Sequence, residues 1–201
     1  MTTKSLKKIT TWVIGISLLS LLTFPSAAHA CACCGLAGQW GQSSRQIQDF
    51  ELQEINSLKF APDVKIFSAP SGETPGVSST SSNYNLSVTK KQRNWSLLFK
   101  DGSGKTGTLS FTIPQSVVDF KTDFVGNPQR AKVDPTLYKE FRFEGKVTGN
   151  GIFAKGITPD TKYRLVLQGQ GGQCTNAGEF KSWNLQVFGS RANYSFYGLL
   201  K

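Results

Sequence analysis

The sequence predicts an all-β domain, an antiparallel β-sandwich or barrel of roughly eight strands, with one short helix near residues 47–60. Three observations predict it. From Val64 onward apolar residues alternate with polar ones, and no long helical period appears. Turn signals such as Asp101-Gly102-Ser103-Gly104 and Gly149-Asn150-Gly151 separate the alternating runs. Aromatic residues fall on the alternating positions, where a pleated, half-buried surface accepts them.

The elements follow in order. Leu52, Ile55 and Leu58 are spaced as on a helix, which places the helix between Gln46 and Phe60. Residues 70–83 are low in apolar content and rich in Ser, Pro and Gly, which predicts a flexible loop inside one domain. Tyr84, Leu86 and Val88, then Trp95, Leu97 and Phe99, form a hairpin about the basic turn Lys90-Lys91-Gln92-Arg93. Leu109, Phe111 and Ile113 make the next strand, which Pro114 ends. Phe141, Phe143 and Val147 face one way and Arg142, Glu144 and Lys146 the other. Strands at Tyr163–Leu167, Trp183–Val187 and Tyr194–Phe196 complete the set.

The opening residues read as an export signal. Lys4, Lys7 and Lys8 precede an apolar run from Trp12 to Phe24, and Ala28-His29-Ala30 supplies a small-x-small cleavage pattern. The run is shorter than the roughly 20 apolar residues of a spanning helix. Residues 1–30 are therefore expected to be a cleaved signal peptide, and 31–201 a single secreted or periplasmic domain with no transmembrane segment. A lipid anchor at Cys31 is disfavoured, because Ala28 stands where lipoprotein signals place a Leu-like residue. Loss of three lysines and no acids takes the formal charge from +10 to +7. The remaining charge is spread along the chain and suits an anionic envelope surface or plain solvation; an exported chain meets no nucleic acid.

Cleavage also removes His29, the single histidine. Ser-His-Asp, Cys-His and His-zinc chemistry are thereby excluded within the exported chain, and no catalytic residue is assigned. Glu140 and Glu144 share a strand face with Arg142 between them, which reads as a salt-bridged outer face. Asp119 and Asp123 are a weaker pair with no visible supporting site.

Cys31, Cys33, Cys34 and Cys174 carry the unusual chemistry. In an exported chain four cysteines most simply form two disulfides, with three pairings open. The alternative is soft-metal handling: a CxCC terminus suits Cu(I), and Cys174 as a fourth thiolate would complete a zinc site. Thiol redox chemistry through the Cys31/Cys34 spacing lacks a thioredoxin-like setting.

Gly38-Gln39-Trp40, near the start of a β-rich exported chain, resembles the G-x-W of lipocalins and related barrels. In those barrels the Trp closes one end. The resemblance implies a small apolar ligand in the barrel mouth and makes Trp40 a candidate ligand-site residue. A Trp packed in the core is the plainer alternative. Fourteen phenylalanines would line a cavity or fill a core, and exposed aromatics would stack on sugar rings. The function expected is non-enzymatic: binding of an apolar ligand, a glycan or another envelope component, with no cofactor unless the cysteines hold copper or zinc.

Overall fold

The computed structural model describes residues 40–67, 74–123, 137–171 and 176–201. Ten strands form one antiparallel sheet: β1 (Trp40–Gln46), β2 (Phe60–Phe67), β3 (Asn83–Lys91), β4 (Asn94–Asp101), β5 (Thr106–Thr112), β6 (Ser116–Asp123), β7 (Leu137–Gly149), β8 (Lys162–Gly171), β9 (Phe180–Phe188) and β10 (Asn193–Leu200). Their order is β1-β6-β7-β5-β4-β3-β2-β10-β9-β8, and β8 returns to pair with β7. Eight strands thus close a barrel, and β6 and β1 extend from it as a flap. The expected all-β antiparallel class holds, and the β7–β8 pairing makes it a barrel.

The flap exists because β7 is long. Its C-terminal end pairs with β5, where Leu109 faces Gly149, and its N-terminal end pairs with β6, where Val118 faces Arg142. The Ile113–Gln115 interruption carries Pro114, which has no N–H to give to a ladder. Beyond it β6 continues along β7 and takes β1 as its second neighbour, with Trp40 opposite Thr122.

The barrel interior is filled. Phe99 lies against Phe196 and Phe111 against Tyr163, each pair 4.2 Å between ring centroids. Trp95, Trp183, Phe141, Phe143, Leu97 and Leu165 are buried with them. Each such side chain contributes about 1.5–3 kcal/mol on leaving water.

Both barrel ends are stoppered. At one end the 3-10 turn Gly151–Gly156 inserts Phe153 among Phe99, Tyr194 and Phe196. Gly151 has φ of +59°, and a Cβ there would lie 2.2 Å from the Thr106 carbonyl oxygen, so the turn needs glycine. The described part of the Ser/Pro/Gly-rich loop, 74–82, is pinned to this end. Ser78 N donates to Ile152 O (2.7 Å), and Asn193 N donates to Pro75 O (3.0 Å).

The other end holds α1 (Asp49–Ser57), the helix expected near 47–60, with Ile55 and Leu58 in the core. A nine-residue helix is marginal alone, so side chains hold both ends. Glu51 accepts from the Gln48 N–H (2.9 Å) at the start. At the finish, Lys90 Nζ donates to the carbonyls of Leu58 (2.6 Å), Ile55 (3.2 Å) and Asn56 (3.3 Å). Among the described residues no helix is long and apolar enough to cross a membrane.

Candidate functional site

Two polar constellations stand out, one inside the flap and one outside it. The inner one is structural. Arg45 on β1 reaches Glu51 of α1 (2.6 and 2.7 Å) and Asp119 of β6 (3.2 Å), and Lys121 also meets Asp119 (3.1 Å). On β7 the buried Lys139 donates to Glu179 (2.6 Å) and to the Asn176 carbonyl (3.1 Å). Burial pushes the Glu51 carboxyl up, but the Arg45 guanidinium and the Gln48 N–H outweigh it and hold it below the usual range. Asp119, one of the acids singled out in sequence, is ion-paired with Arg45 and Lys121; the side chain of Asp123 is outside the described set.

The outer constellation is a face spanning most of the sheet. Register fixes its rows. Gln42, Phe120, Glu140, Gln168, Ser182 and Leu199 are successive partners across β1, β6, β7, β8, β9 and β10. Two residues along, Val118, Arg142, Val166, Asn184, Tyr197 and Lys65 form the next row, ending on β2. All of these residues except Phe120 line an open groove of about 1200 Å³. Trp40, Phe120 and Tyr138 continue the face over the flap. Trp40 is 6.2 Å from Phe120, which is 6.3 Å from Tyr138.

Both arginines of this face are paired, while Asp63 and Lys65 line its β2 end exposed. Arg142 binds Glu140 (2.5 Å) and lies over the Phe120 ring (5.3 Å), and Arg164 binds Glu144 (2.5 Å). Glu140 also accepts from Tyr138 and from Gln168. Burial raises the Glu140 carboxyl, but these donors outweigh it and set it below its ordinary value. Burial first, and then the Glu140 carboxylate, push the Tyr138 phenol up, so it stays a donor. Over β7, β8 and β9 the face therefore offers a ligand mainly amide, hydroxyl and aromatic surface, with Asp63 and Lys65 at its β2 end.

Trp40 is 70% exposed at the outer end of β1. It neither closes the barrel nor enters the core, because β1 lies beyond the barrel on β6. The role implied by the G-x-W resemblance is corrected accordingly. The basic turn is likewise not a plain solvated cluster. Lys90 turns inward beneath α1, and Arg93 donates to the Pro114 carbonyl (2.7 Å).

Cys31, Cys33, Cys34 and Cys174 lie outside the described residues. Among the described residues no group of three His, Cys, Asp or Glu side chains gathers as a metal site. The register does relate the flanking chain: Trp40 faces Thr122, Thr122 faces Tyr138, and Tyr138 faces Gln170. Residues 40 and 170 therefore lie three strand spacings apart, about 14 Å.

No protein-family model, curated protein or solved structure matches this chain.

Sequence reasoning missed the outer face because β6 was unseen. Val117, Asp119 and Lys121 turn inward there, so no apolar alternation marks it. Gln42, Gln168, Ser182 and Asn184 are ordinary polar strand residues until pairing aligns them. The Arg142/Glu140 and Arg164/Glu144 pairs match the salt-bridged face expected of β7.

Proposed function

We propose that this chain is an exported, non-enzymatic β-barrel domain that binds a neutral glycan component of the cell envelope across its outer face, with its cysteines serving as structural disulfides. The observation that carries the reading is the alignment of exposed aromatics with amides on one sheet face. Trp40 is 70% and Tyr197 43% exposed, and Gln42, Asn184 and Gln168 stand in the adjoining rows. Flat rings stack on the C–H faces of sugars, and side-chain amides supply donors and acceptors for hydroxyls. Pairing of Arg142 and Arg164 favours a neutral over an anionic ligand. The filled interior favours the outer face over the barrel mouth as the place where a ligand is held.

Tryptophan fluorescence titration against soluble oligosaccharides tests this. Saturable quenching is expected, weakened about tenfold or more by Trp40→Ala or Tyr197→Ala, roughly the effect of losing one stacking ring. Leu98→Ala, an exposed apolar change on β4, should leave it unaltered. Absence of saturation with any neutral oligosaccharide would overturn the reading.

Soft-metal handling through the cysteines is the second reading, favoured by the shared level of residues 40 and 170. Cys34 precedes Trp40 by six residues and Cys174 follows Gln170 by four. At up to about 3.4 Å per residue, both cysteine groups are within reach of each other. The same reach serves a disulfide, so the redox state of the isolated protein separates the two.

A further inference from the structure

The sheet ends on β1. It pairs with β6 along one side, and among the described residues no strand pairs with its other side. Register tells which backbone groups face that open side. Ile47 N donates to Gln115 O (2.9 Å), and the same register runs unbroken through β1. Hydrogen-bonded pairs alternate in an antiparallel ladder, so Arg45, Ser43 and Gly41 bond to β6. The N–H and C=O groups of Trp40, Gln42, Ser44 and Gln46 therefore point away from the sheet.

Edge strands are ordinarily guarded by proline, lysine, a bulge or short length. β1 has none of the first three, and it runs seven residues, six of them exposed. Its one charge, on Arg45, turns to the inner face and is held by Glu51 and Asp119. Arg45 Nη1 also meets the Gln46 carbonyl at 3.3 Å, which leaves that oxygen a second lone pair.

We propose that this edge pairs with the β1 edge of a second copy of the chain, antiparallel, about a two-fold axis through Ser43. That register uses all four edge-facing residues. Trp40 pairs with Gln46 of the second copy and Gln42 with its Ser44, two bonds to each pair, about eight in all. Centring the axis on Gln42 or on Ser44 loses one of the four pairs. The Ser43 register also sets Arg45 opposite Gly41 of the second copy, so the two arginines do not face each other. A Cβ on Gly41 would meet nothing within 4 Å, so the place opposite Arg45 is open. β1 thus supplies its own complement, which is what an isologous contact requires. The axis stands perpendicular to the sheet, so the two outer faces open on the same side. The pairing holds whether or not those faces bind a glycan. One strand pair falls short of a standard interface of about 1,600 Å², so the dimer is reversible and concentration-dependent.

Sedimentation velocity of the natively exported protein, from about 1 µM to about 1 mM, is expected to show monomer passing into dimer. Ser44→Pro removes an N–H that faces the open edge and leaves the β1–β6 ladder its donors. It should weaken the dimer about tenfold or more without lowering the melting temperature. In the proposed register Ser43 meets its own counterpart as a non-hydrogen-bonded pair, with Cα atoms about 4.5 Å apart, within the span of a disulfide. Mild oxidation of Ser43→Cys should therefore link two copies at position 43, read by peptide mass. Ser87→Cys, equally exposed on β3, should form no such link. Ser43→Cys keeps the test sound should Ser44→Pro fail to fold.

A protein that stays monomeric throughout the range overturns the inference and leaves the glycan reading standing. A dimer that survives Ser44→Pro, or that Ser43→Cys fails to cross-link, lies on another surface and overturns it equally.

Discussion

Arg45 on the flap and Glu51 on the helix are joined by two hydrogen bonds of 2.6 and 2.7 Å, so the edge strand and the barrel stopper are one mechanical unit. The pair is asymmetric. Glu51 is buried, and Arg45 keeps about a third of its side chain in water. Arg45→Met leaves a buried carboxylate uncompensated and should cost about 2–3 kcal/mol, the low end for a broken buried pair because Arg45 is partly solvated. Glu51→Gln keeps an acceptor and leaves the cation free to hydrate, so it should cost less. Urea denaturation of the two variants checks the order; a larger loss in Glu51→Gln would refute it.

Lys90 is the second fastening of α1. Its ammonium meets three helix-end carbonyls and lies 4.6 Å from the Trp95 ring centroid and 4.9 Å from that of Phe60. Burial pushes its pKa down to about 8, so at neutral pH it remains mainly charged. Lys90→Met fills the space but removes every donor, and should destabilise by about 1–3 kcal/mol. Hydrogen exchange should show the loss first in α1, whose last turn would stand uncapped.

Asp101 should contribute to acid sensitivity. Hydroxyl donors from Ser79 (2.7 Å) and Ser103 (2.8 Å), with the Ser103 and Lys105 N–H groups, hold its carboxyl down to about 2. A depressed carboxyl contributes stability that is complete above its unfolded value near 4 and is lost as pH falls toward 2. Wild-type melting temperature should therefore decline across that window. Asp101→Asn should start lower and show a shallower decline, measured by calorimetry between pH 2 and 5.

The cysteines are decided by mass. Natively exported protein, alkylated before reduction, should begin at Cys31, resist alkylation and carry no metal adduct if the disulfide reading is right. Alkylatable thiols accompanied by a copper or zinc adduct would transfer the functional weight to the CxCC terminus.

The seven runs named from the sequence are seven of the eight strands of the barrel, β2 being the eighth. Their inward residues, such as Leu97, Phe111, Phe143 and Leu185, meet the closed core, and burial writes itself into sequence as strict alternation. Of the three strands not named, β2 belongs to the barrel and the other two to the flap. β1 is exposed along most of its length, and β6 turns Asp119 and Lys121 inward against each other and against Arg45 of β1, 74 residues away in the chain. Neither flap strand has an apolar side to announce it. Helix α1 was legible from Ile55 and Leu58, but its anchorage by Arg45 and Lys90 was not, because those contacts span unrelated strands.

The sequence by itself determined an antiparallel all-β chain, most of its strands, and the inward or outward sense of each residue in them, because these follow from local period and turn chemistry. Tertiary structure decided the rest. Closure rests on β7 meeting β8, and the outer groove on seven strands in register. Each of these is set by pairing between residues far apart in the chain, and pairing leaves no mark on local sequence.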